Sequence, residues 1–198
     1  MATELAAALK QLATSGTSLY FLHGNRDFLI GDDYCRSAGM QHLQEPVVID
    51  DWRPGTALMH GDTLCTDDQG YQRFRARVRN PAWQARVLSR PLWWRRLLAR
   101  IARIISKQRN RGKPAHIMDV NAEAVRHCFR SLGIQRLIHG HTHRPALHRL
   151  EVDGQLCERI VLGDWHGAVG SVLEIDGDKA CLMMLRRNGG DDLELVAV

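Results

Sequence analysis

Between Gln69 and Met118 the chain has no aspartate or glutamate, while fourteen lysines and arginines fall from Arg73 to Lys113. A one-signed block of that length points to an anionic partner: a phosphate-bearing substrate, a membrane surface or nucleic acid. No CxxC pair occurs. The five cysteines (Cys35, Cys65, Cys128, Cys157, Cys181) are odd in number and scattered, which argues against a disulfide framework or a thiolate zinc site and for reduced thiols. No apolar run approaches the roughly 20 residues of a membrane span. Met1 to Gly16 lacks a signal-peptide core, so the chain is expected in the cytosol. No internal repeat is evident. With 198 residues, 44% hydrophobic and 25% charged, the composition is that of one globular domain, 1–198, carrying at most an insertion.

Three short apolar runs each end in a loop rich in His, Asn and Asp. Thr17 to Leu22 leads into His23-Gly24-Asn25-Arg26-Asp27. Thr56 to Met59 leads into His60-Gly61-Asp62. Ile134 to Ile138 leads into His139-Gly140-His141-Thr142-His143-Arg144. In α/β folds, ligands gather where loops leave the carboxyl ends of strands, so three such loops can share one rim of a sheet. Neutral imidazole is a common ligand of Zn, Mn and Fe, and the Asn25 amide oxygen is a hard neutral donor. In an extended HxH the side chains alternate faces, so a turn at Gly140 is expected to aim both imidazoles at a metal pair. A lone HxH is weak; the three loops together carry the weight. Asp27 and Asp62 read as groups that support the ligands from behind or cap the loops rather than as ligands, and His23 and His139 as packed strand ends. His42, His116, His127, His148 and His166 have no partner pattern and read as structural.

Around these loops, Leu5, Leu9 and Leu12 share a helical face ending at Gly16, and Asp32 to Ala38 suits a short helix closed by Gly39. Val47 to Ile49 reads as a strand. Val125, Cys128, Phe129 and Leu132 make a helical stripe, capped at its start by Asp119 or Asn121 and at its end by Gly133. After Pro145 the texture is all-β, with tight turns expected at Asp153-Gly154 and Asp176-Gly177, and a loose tail from Gly189 to Val198. From Pro81 to Ile105, tryptophans (Trp83, Trp93, Trp94) and leucines alternate with arginines at helical spacing. One or two amphipathic helices, separated near Pro91, would form a basic insertion or lid over 81–113.

The motifs HGNRDFLIG, MHGDTLCTDDQGYQRFR, IMDVN and LIHGHTHRPALH closely resemble those of the UDP-2,3-diacylglucosamine hydrolases, a family of the calcineurin-like metallophosphoesterases. The resemblance runs from about residue 5 to 186, and Arg26 stands where the wider superfamily usually has histidine. It implies an α/β fold: a metallophosphoesterase β-sandwich flanked by helices, with a helical lid. It implies a reaction in which metal-activated water attacks the α-phosphorus of UDP-2,3-diacylglucosamine, giving UMP and 2,3-diacylglucosamine 1-phosphate (lipid X) for lipid A synthesis. It implies two divalent ions, manganese by the family's habit. Asn25, His60 and His141 would hold one and His143 the other, with Arg26 stabilising charge on the phosphoryl oxygens. Asp68, Ser106, Asn110 and Lys113 would hold uridine and diphosphate. Asp68 also suits a helix cap at Gln69, and Ser106, Asn110 and Lys113 also suit solvated surface.

The family supplies further metal ligands from a DxH and a GD upstream of GNRD. No DxH precedes His23 here, and Glu4 is the only acid before Asp27. The chain is therefore expected to lack two strand–loop–helix units at its N-terminus and to be weakly active or inactive as it stands. A start upstream of Met1 is favoured over a degraded gene. A lid with Trp, Leu and Ile on one side and arginines on the other suits acyl chains and anionic headgroups. Peripheral association with the cytoplasmic face of the inner membrane is expected, and nucleic acid is disfavoured as a partner. Two other functions stay open: a non-catalytic basic binding protein acting through Arg73 to Lys113, and a phosphoesterase acting on another nucleotide.

Overall fold

The computed structural model describes residues 2–52, 54–110, 117, 119–167, 169–188 and 192–197, with backbone alone for 2, 106, 107, 109, 110, 188, 192, 193 and 197. Helix α1 (Ala2–Thr14) leads into β1 (Leu19–Leu22), α2 (Asp32–Ser37) and β2 (Met40–Leu43). β1 and β2 pair in parallel, Leu19 opposite Met40, as a two-stranded sheet. Its crossover is α2, and Gly39, at φ +70, makes the sharp exit from it.

The main sheet has the order β3-β4-β5-β7-β6, built from β3 (Val47–Ile49), β4 (Thr56–Met59), β5 (Arg136–His139), β6 (Ala146–Val152) and β7 (Gln155–Val161). β4, β5 and β7 run parallel, and β3 and β6 close the two edges antiparallel. Between β4 and β5 the chain passes through a short 3-10 turn (Asp62–Leu64) and helices α3 (Gln69–Val78), α4 (Pro81–Leu88), α5 (Leu92–Asn110) and α6 (Ala122–Leu132). α3, announced in the sequence only by a possible cap at Asp68, becomes the element that organises the site. The break between α4 and α5 falls at Pro91, where the amphipathic pattern placed it.

α6 follows from its stripe. Val125, Cys128 and Phe129 are buried against Ala57, Leu137, Val152 and Cys157 of the sheet, at about 25 cal/mol for each Å² of apolar surface removed from water. Of the two candidate caps, Asn121 does the work: its Oδ1 accepts from the Glu123 and Ala124 amides at 2.9 and 3.0 Å, and Nδ2 reaches Asp67. Asp119 instead pairs with Arg144. Asn121→Ala is expected to cost about 1 kcal/mol, read as a lowered urea midpoint with an unchanged slope.

The last sheet is antiparallel, β8 (Val169–Asp176), β9 (Lys179–Asn188) and β10 (Asp192–Ala197) in the order β10-β9-β8. Two expectations change here. Residues 192–197 are not part of a loose tail: they pair with β9 from Asp192 opposite Asn188 to Ala197 opposite Met183. The run Leu-Glu-Leu-Val is too short to announce a strand by itself, but it gains a full backbone ladder from the neighbouring edge. The β8–β9 turn is Gly177-Asp178 rather than Asp176-Gly177, because Asp176 still pairs with Lys179. The β6–β7 turn is Asp153-Gly154, with φ of +51 and +80, as a two-residue hairpin turn requires. Among the described residues no disulfide joins any of the five cysteines.

Candidate metal centre

The strands that deliver the three loops do not share one sheet. β4 and β5 are neighbours in the main sheet, whereas β1 belongs to the two-stranded sheet. The loops meet nonetheless. His141 Nδ1 lies 3.1 Å from His60 Nε2 and 3.4 Å from the Asn25 amide nitrogen. Turning that amide by 180° brings its oxygen to the same place, the donor a cation takes. Gly140 N–H donates to the His60 carbonyl at 3.0 Å, joining the ends of β4 and β5.

The reversal that aims the histidines is made by the histidines themselves rather than at Gly140. His141 and His143 have φ of +68 and +55, a left-handed backbone uncommon for residues with a Cβ. The two imidazoles then take different partners. His141 faces His60 and Asn25, with the Tyr71 ring 5.3 Å away. His143 Nδ1 donates to Asp164 Oδ2 at 2.9 Å, an oxygen that His166 Nδ1 also approaches at 2.7 Å. That bond leaves His143 Nε2 as the lone-pair nitrogen. His143 holds the Asp164 carboxyl below the usual carboxylate range. Asp164 and His166 were invisible as a pair in sequence, since only the fold brings their loop to His143.

Burial lowers the proton affinity of both clustered imidazoles. His60 is pushed down by desolvation, with Arg79 adding to it and Asp62 opposing. His141 is pushed to about 4 by desolvation and by His60. Near neutral pH both rings therefore present lone pairs. For a cation held about 2.1 Å from each donor, neighbouring donors lie about 3.0 to 3.4 Å apart at octahedral to tetrahedral angles. The observed 3.1 and 3.4 Å match those edges, so these donors fit a divalent metal ion. Among the described residues no three His, Cys, Asp or Glu side chains gather closely enough to hold a cation; here the third donor is an amide.

Asp62 and Asp27 take the supporting parts that the sequence suggested. Asp27 Oδ1 accepts from the Gly24 amide at 2.5 Å. Asp62, fully buried, accepts from Tyr71 Oη at 2.8 Å and meets Arg75 Nε at 2.9 Å. Burial alone would raise the Asp62 carboxyl, but Tyr71, Arg75 and His60 together hold it below the ordinary value. Gly61, at φ +100, packs so closely on His139 that a Cβ there would lie 2.7 Å from the ring.

The remaining candidates are dispersed. Arg26 is exposed on the loop beside Asn25. Asp68 caps α3, its Oδ1 accepting from Tyr71 N at 3.0 Å. Ser106 and Asn110 fall in the last turns of α5, and their side chains lie outside the described residues, as does Lys113 altogether. His42, which had no partner pattern, joins Asp32 at 2.7 Å and His23 at 3.2 Å behind the first loop.

His139 is a packed strand end, 1% exposed. Nδ1–H donates to the Gly140 carbonyl at 2.9 Å and Nε2 accepts from Arg159 at 3.1 Å. Burial pushes its pKa down to about 4, with Arg159 assisting and the Gly140 bond opposing. Unfolding restores a value near 6.5. The unfolded chain thus binds a proton that the folded chain refuses, and stability is whole above pH 6.5 and falls between 6.5 and about 4. The loss from this group is about 3 kcal/mol at 1.36 kcal/mol per unit. Urea unfolding from pH 7 to 4.5 should show it. His139→Asn, which keeps a donor for Gly140, should flatten the acid limb; an equally steep limb would place its origin elsewhere.

Comparison with known proteins matches residues 2–145 to the model of the calcineurin-like phosphoesterases. The chain is 51% identical over 162 residues to a UDP-2,3-diacylglucosamine hydrolase of Marinobacter nauticus, covering 82% of this chain and 66% of that protein. It is 47% identical to the protein of the same name from Xanthomonas axonopodis pv. citri, over 93% of this chain and 77% of that one. For Neisseria meningitidis serogroup C the figures are 46%, 93% and 75%. The chain thus spans about two thirds to three quarters of the length of these relatives.

Proposed function

Because the chain belongs to the calcineurin-like phosphoesterases and, within them, to the UDP-2,3-diacylglucosamine hydrolases, we propose that it hydrolyses the diphosphate of UDP-2,3-diacylglucosamine. Water attacks the α-phosphorus, and UMP and 2,3-diacylglucosamine 1-phosphate leave. The observation that carries this reading is the convergence of Asn25, His60 and His141 from three distant loops.

The family works with a dinuclear divalent centre, and the donor set here suits Mn²⁺ as well as Zn²⁺ or Fe²⁺. Asn25, His60 and His141 are the residues that would hold one ion and His143 the other. Bound ions supply positive charge against the diphosphate and lower the pKa of water. The chain's own side chains do the rest. His60 and His141 stay unprotonated because they are buried. Asp164 orients His143 through Nδ1. Arg26, free on its loop, offers a planar fork of donors to the phosphoryl oxygens as their charge grows. Asp68, Ser106, Asn110 and Lys113 are assigned to the uridine and diphosphate.

The insertion carries the lipid end. On α5, Trp93, Leu97, Ile101 and Ile104 are exposed, Trp93 by 67%, and they follow one another at helical spacing among Arg96, Arg100 and Arg103. An exposed apolar stripe edged with arginine suits acyl chains and the anionic cytoplasmic face of the inner membrane. No helix among the described residues is long and apolar enough to cross a membrane. Vesicles containing phosphatidylglycerol should co-sediment the chain in a salt-sensitive manner, and vesicles of neutral lipid should not.

The reaction is tested by incubating the chain with UDP-2,3-diacylglucosamine and Mn²⁺ in ¹⁸O-labelled water. UMP should form and carry the label, because its phosphorus is the one attacked. Label in the sugar phosphate overturns the proposal. Equal cleavage of simple phosphodiesters would favour another nucleotide substrate. Steeply salt-dependent RNA binding without metal uptake would favour a basic binding protein.

A further inference from the structure

The loops that carry His60 and His141 are fixed to one another by the ladder between β4 and β5 and by the Gly140–His60 hydrogen bond. The loop that carries Asn25 has no such support, because β1 lies in a different sheet. α4 holds its far end, Gln84 Nε2 donating to the Phe28 carbonyl at 3.3 Å, and what reaches the residue next to Asn25 is α3. Arg79, at the C-terminal end of that helix, donates from Nη2 to the Gly24 carbonyl at 3.0 Å. Its guanidinium also lies 5.8 Å over the Phe28 ring of the same segment. From the other side, Glu45 Oε2 accepts from the His60 backbone amide at 2.7 Å. Its Oε1 takes Arg75 at 2.7 Å and lies 3.9 Å from Arg79. Glu45, Arg75 and Arg79 are all largely shielded, their side chains 13%, 21% and 17% exposed. One carboxylate and two arginines a helical turn apart thus tie Gly24, next to Asn25, to the backbone of His60.

We propose that Glu45 and Arg79 are positioning residues that set the separation of the Asn25 and His60 donors, so that α3 preassembles a cation site across two sheets. This rests on the metal-site reading of Asn25, His60 and His141. The physical reason is distance tolerance. A cation accepts donors within a few tenths of an ångström of about 2.1 Å, and no strand ladder enforces that between β1 and β4. A guanidinium gripping a main-chain carbonyl one residue from the ligand acts through the backbone, where a small shift moves the donor directly. Partners behind metal ligands are worth about 10- to 100-fold in affinity.

The test is calorimetric titration of the full chain with Zn²⁺ at pH 7.5, well below the unfolding midpoint of each variant. Arg79→Ala should bind Zn²⁺ at least tenfold more weakly while its circular dichroism is unchanged. Arg79→Lys, which still reaches Gly24 with one donor, should recover part of the loss. Glu45→Gln keeps an acceptor for the His60 amide but loses the charge that holds Arg75 and Arg79, and it should weaken binding without unfolding the chain. A role in packing alone would lower the midpoint and leave the affinity of the folded protein untouched. Asn25→Ala and His60→Ala are titrated alongside. If these two lose Zn²⁺ and the Arg79 and Glu45 variants bind like the unaltered chain, the positioning role is overturned and the site stands. If the unaltered chain takes up no Zn²⁺, or Asn25→Ala and His60→Ala bind it normally, the site and the positioning role fall together.

Discussion

Replacing His141 with alanine is expected to remove cation uptake and UMP release together, while the fold survives. His141 Nδ1 is the atom common to both short contacts of the cluster, 3.1 Å to His60 and 3.4 Å to Asn25. Without it the two remaining donors come from different sheets and have no described contact with one another. Removing a partner behind a ligand costs about 10- to 100-fold in affinity, so removing the ligand itself should exceed about 100-fold. The fold should tolerate the change, because the loop lies outside the apolar cluster packed around α6. Acid unfolding supplies an independent sign. His141 is buried and neutral, with its pKa pushed to about 4 by desolvation and by His60. The unfolded imidazole takes a proton near 6.5, so the unaltered chain loses stability as the pH falls through that window. The variant lacks this imidazole and should lose less between pH 7 and 5. Undiminished cation binding by His141→Ala would remove the centre from this place in the fold.

Much of the site was legible because it is written in short, local signals. Each proposed ligand sits in the first few residues after an apolar strand, and β3, β4 and the stripe of α6 fall where the period of their apolar residues puts them. What sequence did not disclose depends on contacts between distant segments. The separate sheet of β1 was hidden because parallel pairing with β2 leaves no mark distinguishing it from pairing with β4. β10 was hidden because a short exposed strand draws its stability from its neighbour's edge rather than from its own pattern. His143 turned toward Asp164 could not be foreseen, since those residues are linked only by the route the chain takes after β7. The support under the ligands was the largest omission. Glu45 carried no signal and Arg75 and Arg79 were two charges among fourteen in the basic block; only the geometry of α3 shows the three largely shielded between two loops.

Asp62→Ala should destabilise the protein more than any change in the proposed ligands. Its carboxylate has no solvent exposure and faces Tyr71 Oη at 2.8 Å and Arg75 Nε at 2.9 Å. Alanine would leave the Tyr71 hydroxyl without an acceptor and Arg75 with Glu45 as its remaining carboxylate. Breaking one half of a buried ion pair costs about 3–5 kcal/mol, which for a domain of this size corresponds to a midpoint lower by roughly 6–20 °C. Asp62→Asn separates the contributions. The amide still accepts from Tyr71 but no longer neutralises Arg75, so its cost should be smaller, about 1–3 kcal/mol. The pH dependence has a definite sign. Tyr71, Arg75 and His60 hold the Asp62 carboxyl below its ordinary value, so its stabilisation is present above about pH 4 and is lost as pH falls toward the folded value. The variants lack that part of the acid transition. Thermal unfolding of the three proteins at pH 7 and pH 3.5 reads both effects. If Asp62→Ala unfolds within about 1 kcal/mol of the unaltered chain, the pair is neither desolvated nor holding the second loop. His60 would then owe its position to the β4 ladder and to Glu45 alone.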